Sequence, residues 1–98
     1  MTAIDMNHFT VLSSDLEKSK AFYINILGLK EGYRPPLASP GAWLYVGDRA
    51  ILHIMARRSM PINPAGVIDH MAFTASNLQA TIDTLKQYNI DYELQRLK

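Results

Sequence analysis

Met6-Asn7-His8-Phe9-Thr10-Val11-Leu12-Ser13-Ser14-Asp15-Leu16-Glu17 runs in step with a later stretch, 62 residues on, that holds Asp69-His70-Met71-Ala72-Phe73 and Ser76-Asn77-Leu78-Gln79. At that offset His8 falls on His70, Val11 on Phe73, Ser14 on Ser76, Asp15 on Asn77, Leu16 on Leu78, Glu17 on Gln79 and Tyr23 on Leu85. The shared pattern is a strand that leads into a capped helix. Residues 6–13 alternate, with Met6, His8, Thr10 and Leu12 on one face and Asn7, Phe9, Val11 and Ser13 on the other, the period of a half-buried strand. Ser14-x-x-Glu17 and Ser76-x-x-Gln79 read as capping boxes, in which the hydroxyl and the carboxylate or amide satisfy orphan N–H groups at a helix start. A duplicated module predicts a pseudo-twofold axis. Repeated histidines facing each other near that axis form a place to hold a metal.

Working outward, the first helix carries Leu16, Ser19, Tyr23, Ile26 and Leu27 along one stripe and stops at Gly28. A short strand over Leu29 to Tyr33 follows. Arg34-Pro35-Pro36 and Ser39-Pro40-Gly41 form a stiff loop, because proline fixes φ and lacks the N–H a central strand needs. Trp43 to Val46 and Ala50 to Met55 read as a hairpin about Gly47-Asp48-Arg49, with a register that the residues leave open by one position. Val67 to Thr74 is the repeated strand, Ser76 to about Tyr88 the repeated helix, and Ile90 to Leu94 a further strand. The expected order is βαβββ and then βαβ, an α+β fold with module one over 4–58, a linker over 59–66 and a partial module two over 67–98.

Composition narrows the function. With 98 residues and 48% apolar content the chain makes one small domain with a modest core. A net charge of +1, with basic residues scattered apart from Arg57-Arg58, gives no electrostatic case for nucleic acid. The absence of cysteine excludes disulfides and thiolate chemistry and fits a reducing cytosol. No signal peptide and no apolar run long enough to cross a membrane is present, so a cytoplasmic protein is the expectation.

The three histidines, His8, His53 and His70, all fall in predicted strands. His53 shares a face with Ile51 and Met55, while Leu52 and Ile54 point the other way. With Phe9, Val11, Met71 and Phe73 packed under the helices, all three imidazoles are left on the open face of the sheet. A lone strand histidine usually donates to a backbone carbonyl. Two in repeat register and a third beside them also suit zinc, nickel, iron or copper, because neutral imidazole on a rigid strand is a good ligand.

The run Met6 to Tyr23, followed by Ile26-Leu27-Gly28-Leu29, resembles the opening of the vicinal oxygen chelate superfamily, which includes glyoxalase I, fosfomycin and bleomycin resistance proteins and extradiol dioxygenases. Trp43-Leu44-Tyr45-Val46-Gly47-Asp48 with Ile51-Leu52-His53-Ile54 resembles the third and fourth strands of its glyoxalase-like members, and Asp69 to Phe73 the start of their second module. The resemblance implies tandem βαβββ modules forming a cupped mixed sheet around a divalent metal, here zinc, nickel, iron or manganese. Ligands come from the first and fourth strands of each module, so His8, His53 and His70 match three of four positions. The fourth, usually glutamate, would lie one repeat length beyond His53, past Lys98. The last two strands of the second module would lie there too. The resemblance therefore implies either a fragment or a homodimer in which another chain closes the sheet by strand exchange.

Chemically, the family places two vicinal oxygens of a small substrate on the metal, which acts as a Lewis acid. The resemblance makes Trp43 and Tyr45 pocket walls and Arg34 an anion clamp. The plainer roles are core packing for the aromatic pair and a solvated loop for the arginine. Three functions follow from the resemblance: a glyoxalase-like lyase or isomerase, a ring-cleaving dioxygenase, or a non-catalytic module that sequesters a small molecule.

Overall fold

Ser13 ends one element and starts the next. Its buried hydroxyl accepts from Asp15 N–H at 3.1 Å and shares a 2.6 Å hydrogen bond with Ser19 Oγ, so the strand-to-helix corner is tied inside the protein. The computed structural model describes residues 1–56 and 70–96. The expected linker over 59–66, Arg57-Arg58 and the first residues of the strand expected at 67–74 lie outside the described residues. The chain divides into two units, Met1–Pro64 and Ala65–Lys98.

In the first unit the elements are β1 (Phe9–Ser13), α1 (Leu16–Asn25), β2 (Lys30–Glu31), β3 (Gly41–Val46) and β4 (Arg49–Ala56). The sheet order is β1-β4-β3-β2. β1 runs parallel to β4, with Phe9 opposite Leu52 and Thr10 opposite His53, and β3 is antiparallel to both β2 and β4. The first two strands thus occupy opposite edges, and the hairpin fills the gap that α1 spans. This is the strand arrangement the resemblance implies.

The hairpin turns at Gly47, whose φ of +59° is the left-handed conformation a tight loop needs, and Val46 pairs with Arg49 across it. Between Leu44↔Leu52 and Val46↔Arg49 the register shifts by one residue, a β-bulge on β4. That extra residue is why a strict period-2 reading leaves the register open by one position. β2 is shorter than the expected Leu29 to Tyr33. Only Lys30 and Glu31 pair with β3, followed by one further bond from Gly32 N–H to Trp43 O, before the prolines stop the ladder.

Alternation sorts the central hairpin residues as expected, but Phe9 and Phe73, expected under the helices, are exposed, and Ile51, expected on the face of His53, packs against the core because the bulge shifts β4 by one residue. Ala42, Leu44, Leu52 and Ile54 are buried and form the core with Leu29, while Trp43 and His53 stand on the other face. Val11, Leu16, Tyr23, Ile24 and Ile51 pack against this core. The α1 stripe differs at one end: Ile24 supplies the packing, and Leu27 is exposed. Gly28, at φ +73°, turns the chain so that Leu29 N–H returns to Tyr23 O, and Leu27 is carried out of the helical stripe.

Helix capping also differs, by one residue and identically in both repeats. Asp15, not Ser14, is the N-cap of α1 and accepts from Lys18 N–H; Asn77, not Ser76, caps α2 (Leu78–Gln87) and accepts from Ala80 N–H. Each carboxylate or amide oxygen reaches the N3 amide, whereas the serine before it would be one position too early. Asp15 and Asn77 are themselves register partners in the repeat, so the duplicated junction survives the correction.

The second unit is described by α2 and its flanks. Asn89 at φ +56° ends the helix in a Schellman motif, with Ile90 N–H on Leu85 O and Asn89 N–H on Lys86 O. The strands expected around 70–74 and at Ile90 to Leu94 do not form in the described residues. Extended chain becomes a strand only where a neighbour exchanges backbone hydrogen bonds with it. In the first unit β3 and β4 provide that neighbour, and no described segment of the second unit does so.

Candidate functional site

Trp43 and His53 face each other across the β3–β4 ladder, and the pairing sets their rings parallel, 3.9 Å apart at 7°. His8, just ahead of β1, lays its ring on the other side of His53 at 3.7 Å and 16°. His53 is therefore the middle of a three-ring stack. Around it lies a cleft of about 350 Å³ lined by Asn7, His8, Trp43, Asp48, Arg49, Ala50 and His53. Aromatic stacking of this kind contributes on the order of 1 kcal/mol per pair beyond the area it buries.

Burial holds the His53 pKa below its ordinary value, and the positive charge that His8 can carry acts in the same direction; a hydrogen bond with the Ala50 backbone opposes them, and Arg34 adds a further lowering. The shift favours the neutral imidazole, the form that ligates metals. At His8, Nδ1 lies 2.7 Å from Asn7 Oδ1. With the amide oxygen assigned to that contact, Nδ1 is the donor and Nε2 keeps its lone pair. His8 thus has one ring nitrogen engaged and the other available, the pattern of an oriented metal ligand. The donor chemistry fits a divalent cation. The ring orientation does not yet converge, since parallel rings aim their lone pairs side by side. Among the described residues no group of three histidine, aspartate or glutamate side chains is gathered at one point.

Tyr45 and Arg34, also singled out from the sequence, do not line this cleft. Tyr45 covers Gly32, where an added Cβ would come within 2.8 Å of the ring, and its hydroxyl donates to Tyr33 O at 2.7 Å. Arg34 donates from Nη2 to Ser39 O at 2.8 Å and packs on Gly41, with a buried Nε that has no partner among the described residues. Both fasten the loop between β2 and β3. His70 belongs to the second unit, in irregular chain before α2.

Sequence reasoning did not select Asn7, Asp48 or Arg49. Asn7 carried a signal in its adjacency to His8. Asp48 and Arg49 read as ordinary turn residues, and only the bulged hairpin brings them to the cleft.

The family model of the Glyoxalase/Bleomycin resistance protein/Dioxygenase superfamily matches residues 5–96. The chain is 33% identical over 96 residues to mitochondrial methylmalonyl-CoA epimerase of Homo sapiens, covering 87% of this chain and 54% of that protein. It is 29% identical over 97 residues to the uncharacterised protein YwkD of Bacillus subtilis, covering 90% of this chain and 74% of that one. The chain spans about half the length of the epimerases it matches. Among solved structures, its fold is similar to fosfomycin resistance protein FosX of Listeria monocytogenes, with a TM-score of 0.69 at 20% identity over 100% of this chain and 74% of that one. A mutant of FosX, seen with Mn(II) and 1S,2S-dihydroxypropylphosphonic acid, gives a TM-score of 0.71 at 19% identity over 99% of this chain and 79% of that one.

Proposed function

This chain belongs to the Glyoxalase/Bleomycin resistance protein/Dioxygenase superfamily, and on that premise we propose that it binds a divalent metal and a small oxygen-bearing substrate at the His8–His53 cleft. The observation that carries the reading is the juxtaposition of two imidazoles, His53 on β4 and His8 just ahead of the neighbouring β1, with His8 Nδ1 held by Asn7. The family resemblance implies His70, the register partner of His8 in the repeat, as a further donor. A cation held there supplies Lewis acidity toward two vicinal oxygens of the substrate, the chemistry of a lyase, isomerase or epimerase.

The chain's own residues have separate tasks. Asn7 holds His8 Nδ1, so that Nε2 faces outward. Trp43 walls one side of His53 and keeps water from that face. Arg34 adds positive charge near His53, which disfavours imidazolium and attracts an anionic substrate group. Ligation by both histidines requires the exposed His8 ring to turn out of the stack. That turn is a rotation about the side-chain bonds of His8, with its backbone kept at the head of β1 beside β4.

The named functions of relatives support the choice of chemistry. An epimerase at 33% identity moves this reading toward isomerisation beside a carbonyl, and the manganese and phosphonate seen with FosX are consistent with a metal-centred small-molecule site. A homodimer is part of the same reading, because among the described residues the outer edge of β1 ends the sheet of the first unit.

The deciding experiment is metal analysis of protein purified without chelator or nickel affinity. Near-stoichiometric metal is expected, and His8→Ala, His53→Ala and His70→Ala should each lower occupancy. Protein that is metal-free and cannot be reloaded would overturn the reading. The ring stack would then favour the sequestration role, with His53 and Trp43 as a platform for a flat ligand.

A further inference from the structure

β1 begins at Phe9, so Asn7 and His8 stand outside the ladder and receive none of its backbone hydrogen bonds. Something else must hold His8 over His53 at 3.7 Å. Arg49 supplies two bonds to the segment: Nη2 donates to Asp5 Oδ2 at 3.0 Å and to Met6 O at 3.1 Å. Counting back from Phe9↔Leu52 along the parallel pairing brings Met6 beside Arg49. The guanidinium therefore takes over the β1–β4 pairing at the point where the backbone ladder has stopped.

The β4 bulge lies between Arg49 and Leu52, and such bulges re-aim neighbouring side chains. Arg49 lines the same cleft as Asn7, His8 and His53. Its ion pair with Asp5 is half exposed, at 52% and 67%, so charge alone contributes little there. The second bond, to a main-chain carbonyl two residues before His8, is what converts the pair into a strap.

We propose that Arg49 is a positioning residue: by strapping Asp5 and Met6 to the head of β4 it sets His8 on His53 and so prepares the two-histidine edge of the cleft. The strap is a claim about the metal-free protein. Its effect on metal affinity rests on the function proposed above.

The test is nitrogen-15 NMR of the imidazole rings in the metal-free full chain, with the methyl signals of buried Leu44 and Leu52 reporting the intact core. In the wild type, stacking should place the His8 ring protons upfield. Arg49→Ala should return them toward free-histidine values, and Arg49→Lys, whose ammonium can serve both acceptors, should restore the upfield position. Asp5→Ala, a change at an exposed residue outside every strand and helix, should produce a partial return and guards against loss of fold. His8 ring signals that stay put in both Arg49→Ala and Asp5→Ala while the core methyls are unchanged would overturn the strap.

Titration with Co(II) alone separates the two ideas. If the wild type binds the ion, Arg49→Ala should weaken binding roughly three- to tenfold, the range expected from losing an exposed ion pair and one hydrogen bond. Unchanged affinity would overturn the strap's role in the metal site. A wild type that takes no Co(II) counts against the metal reading and leaves the ring shifts to decide the strap.

Discussion

At the scale of single residues, side-chain environment separates groups that the sequence treats alike. His8 and His53 have the same chemistry, yet His53 lies between two rings and has its pKa lowered, chiefly by burial. Tyr23 and Tyr45 diverge in the same way. Tyr23 packs against the core and burial raises its pKa, whereas Tyr45 lies over Gly32 and bonds Tyr33 O. The Tyr23 shift has a consequence for stability. Its folded-state pKa lies above the ordinary 10.0, so the folded protein holds the phenolic proton more firmly than the unfolded chain. That contribution is complete below pH 10 and is lost as pH rises through the raised value. Tyr23→Phe should therefore flatten the alkaline limb of a urea-midpoint profile relative to wild type; parallel profiles would refute this origin. His8 and His53 were legible as candidates because they fall at strand positions of one face. Arg49 and Asp48 were not, because their place in the cleft depends on a bulge that no period-2 pattern encodes.

At the scale of elements, the repeat is clearest where strand meets helix. Asp15 and Asn77 each accept from the amide three residues on, and Gly28 and Asn89 each end their helix at positive φ. Reading Ser14 and Ser76 as the caps found the junctions but placed them one residue early, since serine, aspartate and asparagine are close competitors for that position. Only the backbone at Asp15 and Asn77, both extended, decides among them. Replacing either cap by alanine should cost about 1 kcal/mol of helix stability. Amide exchange should speed in the first turn of α1 for Asp15→Ala and in that of α2 for Asn77→Ala. Exchange that stays slow in the cognate helix would show that its cap contributes nothing. The second-unit strands were legible as apolar alternation at Met71 and Phe73, but alternation describes a half-buried surface and does not supply a hydrogen-bonding neighbour.

At the scale of the whole molecule, the sheet of the first unit, among the described residues, ends at β1 on one side and at the two-residue β2 on the other. β2 is short and carries Lys30, both of which discourage pairing. β1 is longer and offers Phe9, which is 41% exposed. In the second unit Phe73, Leu78, Tyr88, Tyr92 and Leu94 are exposed apolar side chains. Together these predict association, and sedimentation equilibrium should give about twice the 11.1 kDa chain mass. A single species at 11.1 kDa across the concentration range would remove the homodimer from the proposed function. No helix among the described residues is long and apolar enough to cross a membrane. The amino-acid sequence by itself determined the family, the α+β order of the first module, the buried face formed by Leu44, Leu52 and Ile54, and the pairing of the two capped junctions. The family came from resemblance to its known members, and the other properties follow from side-chain period and local backbone preference, which act over a few residues. Tertiary structure alone decided the register of the hairpin, the ring stack on His53 and the capture of Met6 by Arg49, 43 residues away along the chain. Each of these depends on which distant backbone lies alongside, and a bulge of one residue is enough to change it.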